Sequence, residues 1–311
     1  MRRYLIFLLP LIFCGSCRQS VNQSDKEAIT ISILPQKFLI EEIGGGNFSI
    51  NVLVPDGSGP ETYEPTARQL QEISRSKAYF MTGLLDFEKS WYPKVAENNP
   101  DLKIINLSEG TTVISGETHV HSESAHTDHN HDTDEHSEAE HNYDVHSGDD
   151  PHIWLSIQSL KVQSNVVLRE LTELKPELKD VFEANHMHLT SRLDSIDNVI
   201  RGKFNAVGHS VAFMIYHPSL SYYSRDYDVN QIPIELEGKE PSPAYLKELI
   251  DKARELKIGI ILYSEQFDKK SAETLSQQLD IPLYSFNPLS PDVEENLLSI
   301  TDIIIKAQGN E

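Results

Sequence analysis

The chain has 311 residues, of which 39% are hydrophobic and 24% charged. That is enough apolar content for a folded protein and too much length for one small core, so two lobes of ordinary domain size are expected. The formal net charge of −21 argues against nucleic acid as a partner, because phosphate binding needs clustered Lys and Arg. Much of the acid excess lies between Glu117 and Asp150. An acidic, His-dense surface of that kind attracts cations.

Arg2 and Arg3 precede a short apolar run from Leu5 to Phe13. This is the pattern of an export signal, and the run is shorter than the roughly 20 residues that a membrane-spanning helix requires. It ends in Cys14-Gly15-Ser16-Cys17, which resembles the lipobox of bacterial lipoproteins. Cys17 is then the lipidated start of the mature chain, anchoring it to a membrane; the alternative is an ordinary cleaved signal in which Cys17 is incidental. The chain has 2 cysteines, both at this signal, so the mature fold offers neither a disulfide nor a thiolate site. Any metal must be held by His, Asp, Glu, Asn or water.

After a polar tether at 18–27, strand-like and helical stretches alternate. Strands are expected at Ile29–Leu34, Asn51–Val54, Ala78–Thr82 and Lys103–Leu107, with helices at Lys37–Ile43, Ala67–Ser74 and Phe87–Glu97. Alternation of this kind implies a parallel sheet flanked by helices. A helix from about Ile157 to Leu174 completes an N-terminal α/β lobe spanning 28–175. Pro176 then opens a long linking helix, 176–205, with Leu189, Leu193, Ile196 and Ile200 at three- and four-residue steps. A second alternating set fills 206–311, with strands at Val211–Tyr216, Gln231–Ile234, Ile258–Tyr263 and Pro282–Ser285. Its helices are expected at Pro243–Leu256, Lys269–Leu279 and Pro291–Lys306, and Ser242-Pro243 and Ser290-Pro291 each set a capping hydroxyl before proline. The fold class is α/β: two similar lobes, each a mainly parallel sheet flanked by helices, joined by one long rigid helix.

The segment 111–150 interrupts this pattern. It is almost free of apolar residues, and it holds His119, His121, His126, His129, His131, His136, His141 and His146. It cannot bury enough surface to offset its ordering entropy, so it is expected to be disordered without metal. Irregular spacing among acids favours several weak, exchanging metal sites, which would collect zinc for the fold or sense its abundance. The alternative is a solvated insertion with incidental affinity.

Three short stretches stand at the ends of expected strands, where open parallel sheets place ligands. They are Pro55 to Thr66, Asp149-Asp150-Pro151-His152-Ile153-Trp154-Leu155 and Tyr216-His217-Pro218-Ser219-Leu220. Neutral imidazole suits Zn2+, and carboxylate suits both Zn2+ and Mn2+. On spacing alone, a lone His is more often a hydrogen-bonded core residue than a ligand.

These stretches, with Ile33-Leu34-Pro35-Gln36, Tyr63-Glu64-Pro65-Thr66, the run Glu237 to Pro243 and Pro288-Leu289, resemble the TroA-like (cluster A-I) solute-binding proteins of ABC transporters. The likeness is to the zinc-specific branch, and it runs over nearly the whole mature chain. It implies a metal buried between the lobes, a membrane permease powered by a separate ATPase as partner, a monomer, and a periplasmic, membrane-anchored lipoprotein. His152 and His217 match metal-binding histidines of the family. Glu61 stands where the family has its first His, and Asn287 where it has an aspartate. The implied set is Glu61, His152 and His217, with water, Glu265 or Asn287 in fourth place and Zn2+ as the transported ion. Mn2+ remains possible.

No chemical step is expected, since the chain lacks a His-Glu-x-x-His helix and a nucleophile motif. Release is expected by local rearrangement near His217, and affinity is expected to fall as pH drops through about 6.5. The rival readings are a manganese or iron importer and a surface adhesin or zinc buffer. His186 and His188 read as surface residues, and His209 as a marginal candidate for contact with a ligand.

Overall fold

The computed structural model describes residues 26–115, 148–235, 241–267 and 269–306. The expected signal, Cys17, most of the tether and the eight histidines from His119 to His146 lie outside the described residues.

The first lobe is a parallel sheet of β1 (Glu27–Ile31), β2 (Phe48–Val52), β3 (Ala78–Met81) and β4 (Lys103–Asn106), in the order β2-β1-β3-β4. The second is built from β5 (Val211–Ile215), β6 (Val229–Pro233), β7 (Ile261–Ser264) and β8 (Leu283–Phe286), in the order β6-β5-β7-β8. The two sheets therefore share one winding, with the first strand of each lobe inside its sheet. Parallel neighbours need helical crossovers. These are α1 (Leu34–Gly44), α2 (Ala67–Ser74) and α3 (Asp86–Asn98) in the first lobe, and α6 (Ser221–Tyr227), α7 (Pro243–Glu255) and α8 (Lys270–Leu279) in the second. Beside them pack α4 (Ile157–Leu174), α5 (Lys179–Val207) and α9 (Val293–Lys306).

Local chemistry accounts for most boundaries. Thr66, Ser156 and Ser242 accept backbone N–H bonds at the starts of α2, α4 and α7, as short polar caps do. The run read as a strand from Ile29 to Leu34 divides instead. β1 stops at Ile31 and α1 begins at Leu34, because Pro35 in the first turn has its φ preset for a helix. Pro176 likewise opens a separate 3-10 turn, Pro176–Leu178, before α5. The helix α6 has no counterpart in the expected elements. Its seven residues, Ser-Tyr-Tyr-Ser-Arg-Asp-Tyr, are too few for a helical period to show.

The 29 residues of α5 run about 43 Å. Phe182, Leu189, Leu193, Ile200 and Phe204 are buried along it. Midway, Arg192 bonds Glu42 of α1 at 2.8 Å and Glu294 of α9 at 3.0 Å, holding an element of each lobe from one side chain. The lobes are more than two bodies on a strut. One continuous core runs from Ile29 and Phe80 through α4 and α5 to Phe213, Leu262 and Ile304. Strand alternation divides β5 accordingly. Val211, Phe213 and Ile215 enter that shared core, whereas Ala212 and Met214 enter a smaller one with Leu249 of α7 and Leu275 of α8. Among the described residues, no helix is long and apolar enough to cross a membrane.

Candidate metal centre

The site assembles where both sheets present the carboxyl ends of their strands. Glu61 rides on the loop that leaves β2. Leu53 and Val54 continue the pairing with β1, through bonds to Ile31 and Ser32 at 3.0 and 2.9 Å. Gln69 then pins the loop, donating to the Leu53 carbonyl at 2.5 Å and accepting from the Tyr63 hydroxyl at 2.9 Å. His152 sits in a tight turn before the 3-10 segment Ile153–Leu155. Its backbone N–H and its Nδ1 both meet one Asp150 oxygen at 2.9 Å. Its ring lies 5.0 Å from that of Trp154, whose indole N–H donates to the Pro288 carbonyl of the second lobe at 2.8 Å. His217 follows β5. Its Nδ1 is 2.5 Å from Glu235, and Phe267 stacks on its ring at 4.5 Å.

These supports aim both Nε2 atoms at one carboxylate. Glu61 Oε1 lies 3.0 Å from His217 Nε2 and 3.4 Å from His152 Nε2, although 156 positions separate Glu61 and His217. One ligand atom from each of Glu61, His152 and His217 falls within 4.8 Å of the others, and among the described residues no other group of His, Cys, Asp or Glu does so. The three implied residues are thus brought together. An ion placed among them would see two imidazoles whose outer nitrogens are already bound to carboxylates, an arrangement that sets the tautomer and raises ligand basicity.

The electrostatics follow. Burial pushes the Glu61 carboxyl up, but the His217 hydrogen bond and the fields of both imidazoles together hold it below its ordinary value. Asp150 is depressed in the same way: burial opposes ionisation, and the field of His152 with its two bonds outweighs it. Burial disfavours charge on His217, yet its bonds to Glu235 and Glu61 win and raise its pKa to about 10. The expectation of an ordinary imidazole titrating near 6.5 is therefore corrected for His217. A carboxylate at each nitrogen favours its protonated form.

Neither candidate for the fourth place joins the group. Glu265 is exposed in the turn after β7 and outside the cluster. The Asn287 side-chain oxygen accepts from Gln266 at 3.0 Å and from the Leu289 backbone at 2.9 Å, so it caps the Pro288-Leu289 turn instead. His186 is half-buried rather than superficial, within hydrogen-bond distance of Ser164 at 3.1 Å. His188 and His209 are exposed. Sequence reasoning missed the orienting residues. Asp150, two positions before His152, was visible as a pattern. Glu235 was not: the β5–β6 register, Ile215 opposite Pro233, is what carries it to His217.

A family profile described as "Zinc-uptake complex component A periplasmic" matches residues 29–303. The chain belongs to this family. A crystal structure of ZnuA superposes on it with a TM-score of 0.79 at 33% identity, covering 92% of this chain and 100% of that one. The iron ABC transporter substrate-binding lipoprotein MtsA of Streptococcus pyogenes serotype M1 is 25% identical over 293 residues, 90% of this chain and 84% of the relative. The manganese ABC transporter substrate-binding lipoprotein PsaA of Streptococcus anginosus is 23% identical over 292 residues, covering 89% and 85%. The doubled parallel-sheet architecture of the lobes is the fold of this family.

Proposed function

We propose that the chain is the solute-binding component of an ABC importer, carrying Zn2+ in the group formed by Glu61, His152 and His217 and delivering it to a membrane permease. The observation that carries this reading is the convergence of two imidazole nitrogens and one carboxylate oxygen within 4.8 Å. Two His and one carboxylate suit tetrahedral Zn2+, with water in the fourth position. The lipidated Cys17 and extracytoplasmic placement belong to the same reading, supported by relatives that are named lipoproteins. An open fourth position also occurs in zinc hydrolases, but binding and release suffice here, and we assign the chain no reaction.

Glu61 is the ligand that leaves first in this reading. Asp150 and Trp154 hold His152, and Glu235 and Phe267 hold His217. Among the described residues Glu61 bonds the two imidazoles, and its side chain is 30% exposed against 5% for His152 and 10% for His217. In this reading release begins at Glu61, where the sequence alone had suggested a rearrangement near His217.

The test is a zinc titration against a competing chelator, using a full-length chain in which the eight histidines from His119 to His146 are glutamine. One tight equivalent, lost in His152→Ala and in His217→Ala, is expected. No tight equivalent for zinc would refute the assignment, and a clear preference for Mn2+ or Fe2+ over Zn2+ would move it to the manganese and iron branch.

A further inference from the structure

The root of the histidine-rich segment is built into the metal centre, and one hydroxyl makes the connection. Ser115 and Asp149 form an antiparallel bridge, and Asp150 N–H donates to the Ile114 carbonyl at 2.8 Å. The two arms that flank residues 116–147 thus meet at one point, two residues before His152. Onto this clasp the second lobe lowers α6, which begins four residues after His217. The Tyr222 hydroxyl donates to the Asp150 carbonyl at 2.7 Å and accepts from the Ile114 N–H at 3.2 Å, so it closes both arms together. Ser221, the residue before it, hydrogen-bonds the Asp150 side chain. Arg225, one turn on, donates to the Thr112 carbonyl at 3.0 Å.

Tyr222 is fully buried, and burial pushes its phenol up to about 12, so the hydroxyl keeps its proton across working pH. Nothing in the proposed ligand set requires this residue. What it touches is the backbone of the one residue whose carboxylate fixes the His152 imidazole. The helix that continues from one ligand, His217, therefore grips the residue that aims the other, His152. We infer that Tyr222 is a positioning residue for metal capture, locking the two arms that flank the histidine-rich segment to each other at Asp150 so that His152 keeps its aim. A partner that orients a metal-binding imidazole is worth about 10- to 100-fold in affinity. Tyr222 acts one bond further out, through the backbone, so the low end of that range applies.

This inference rests on the metal-carrier reading above, and the experiment separates the two. In the full-length chain with the eight segment histidines changed to glutamine, Tyr222→Phe keeps the buried ring and removes only the hydroxyl. Zinc affinity is expected to fall about 10-fold, through faster dissociation with an unchanged association rate. The same change in an Asp150→Ala background is expected to cost less than about twofold, because the carboxylate through which Tyr222 acts is gone. An unchanged affinity in Tyr222→Phe would overturn the inference. So would an equal loss in both backgrounds, since Tyr222 would then be serving only the fold. A parent chain with no zinc site sensitive to His217→Ala would overturn the carrier reading and this one together. Where thermal melting shows that Asp150→Ala is unfolded, Ser221→Ala serves as a second arm. It is expected to weaken zinc binding in the same direction as Tyr222→Phe, and no effect from either would overturn the inference.

Discussion

Proton release on metal binding is the sharpest consequence of the site's geometry. Before an ion arrives, His217 lies between Glu235 at 2.5 Å and Glu61 at 3.0 Å, and its pKa is raised to about 10. On the proposed ligand set Zn2+ takes Nε2 in its neutral form, so one proton should leave His217 for each ion bound anywhere below that value. At pH 7 this opposes binding by about 4 kcal/mol, at about 1.4 kcal/mol per pH unit. Affinity should therefore climb about 100-fold between pH 7 and pH 9. An imidazole with its ordinary pKa of about 6.5 would give less than about twofold over that range. Calorimetry in buffers of different ionisation enthalpy, with the segment histidines changed to glutamine, measures the proton count directly. The sign for the ion-free fold is the opposite. A folded pKa above the unfolded value stabilises fully below about 6.5, and that stabilisation is lost as pH rises through about 10. Melting temperature without metal should accordingly decline between pH 7 and 10 while zinc affinity increases. A heat of binding independent of the buffer at pH 7.5, with affinity flat from pH 7 to 9, would refute the reasoning.

Three further outcomes are expected. Glu61→Ala removes a proposed ligand and should weaken zinc by more than about 100-fold, beyond the usual cost of losing an outer partner; chelator competition that finds a near-native affinity would exclude Glu61 from the site. Gly83 has φ +87, and a Cβ there would lie 1.9 Å from the Asn106 side-chain oxygen, so Gly83→Ala should cost more than about 2 kcal/mol, read as a drop of about 4 °C or more in thermal melting. Trp154→Phe leaves the buried Pro288 carbonyl without its indole donor and should destabilise by about 1–3 kcal/mol; an unchanged melting temperature would show that the cross-lobe bond contributes little.

The sequence by itself determined the elements and the chemistry available to them. Alternating apolar runs, prolines in first turns and hydroxyl caps marked the strands and most helices, because those signals act within a few residues. The Leu189, Leu193, Ile196, Ile200 stripe marked the linking helix, and all four enter or line the shared core. Both cysteines fall in or beside the expected signal, which narrowed the ligands of the fold to nitrogen and oxygen, and family resemblance rather than spacing marked His152 and His217. Tertiary structure decided what those residues meet. The in-register pairing of β5 with β6 brings Glu235 to one ring nitrogen of His217, and the loop after β2 brings Glu61, 156 positions away in the chain, to the other. Asn287 was withdrawn from the site by Gln266 and the Leu289 backbone. The helix α6, too short to carry a period, became the link between the two lobes at Asp150. Such contacts have no local signature, because they depend on register and packing between segments far apart in the chain.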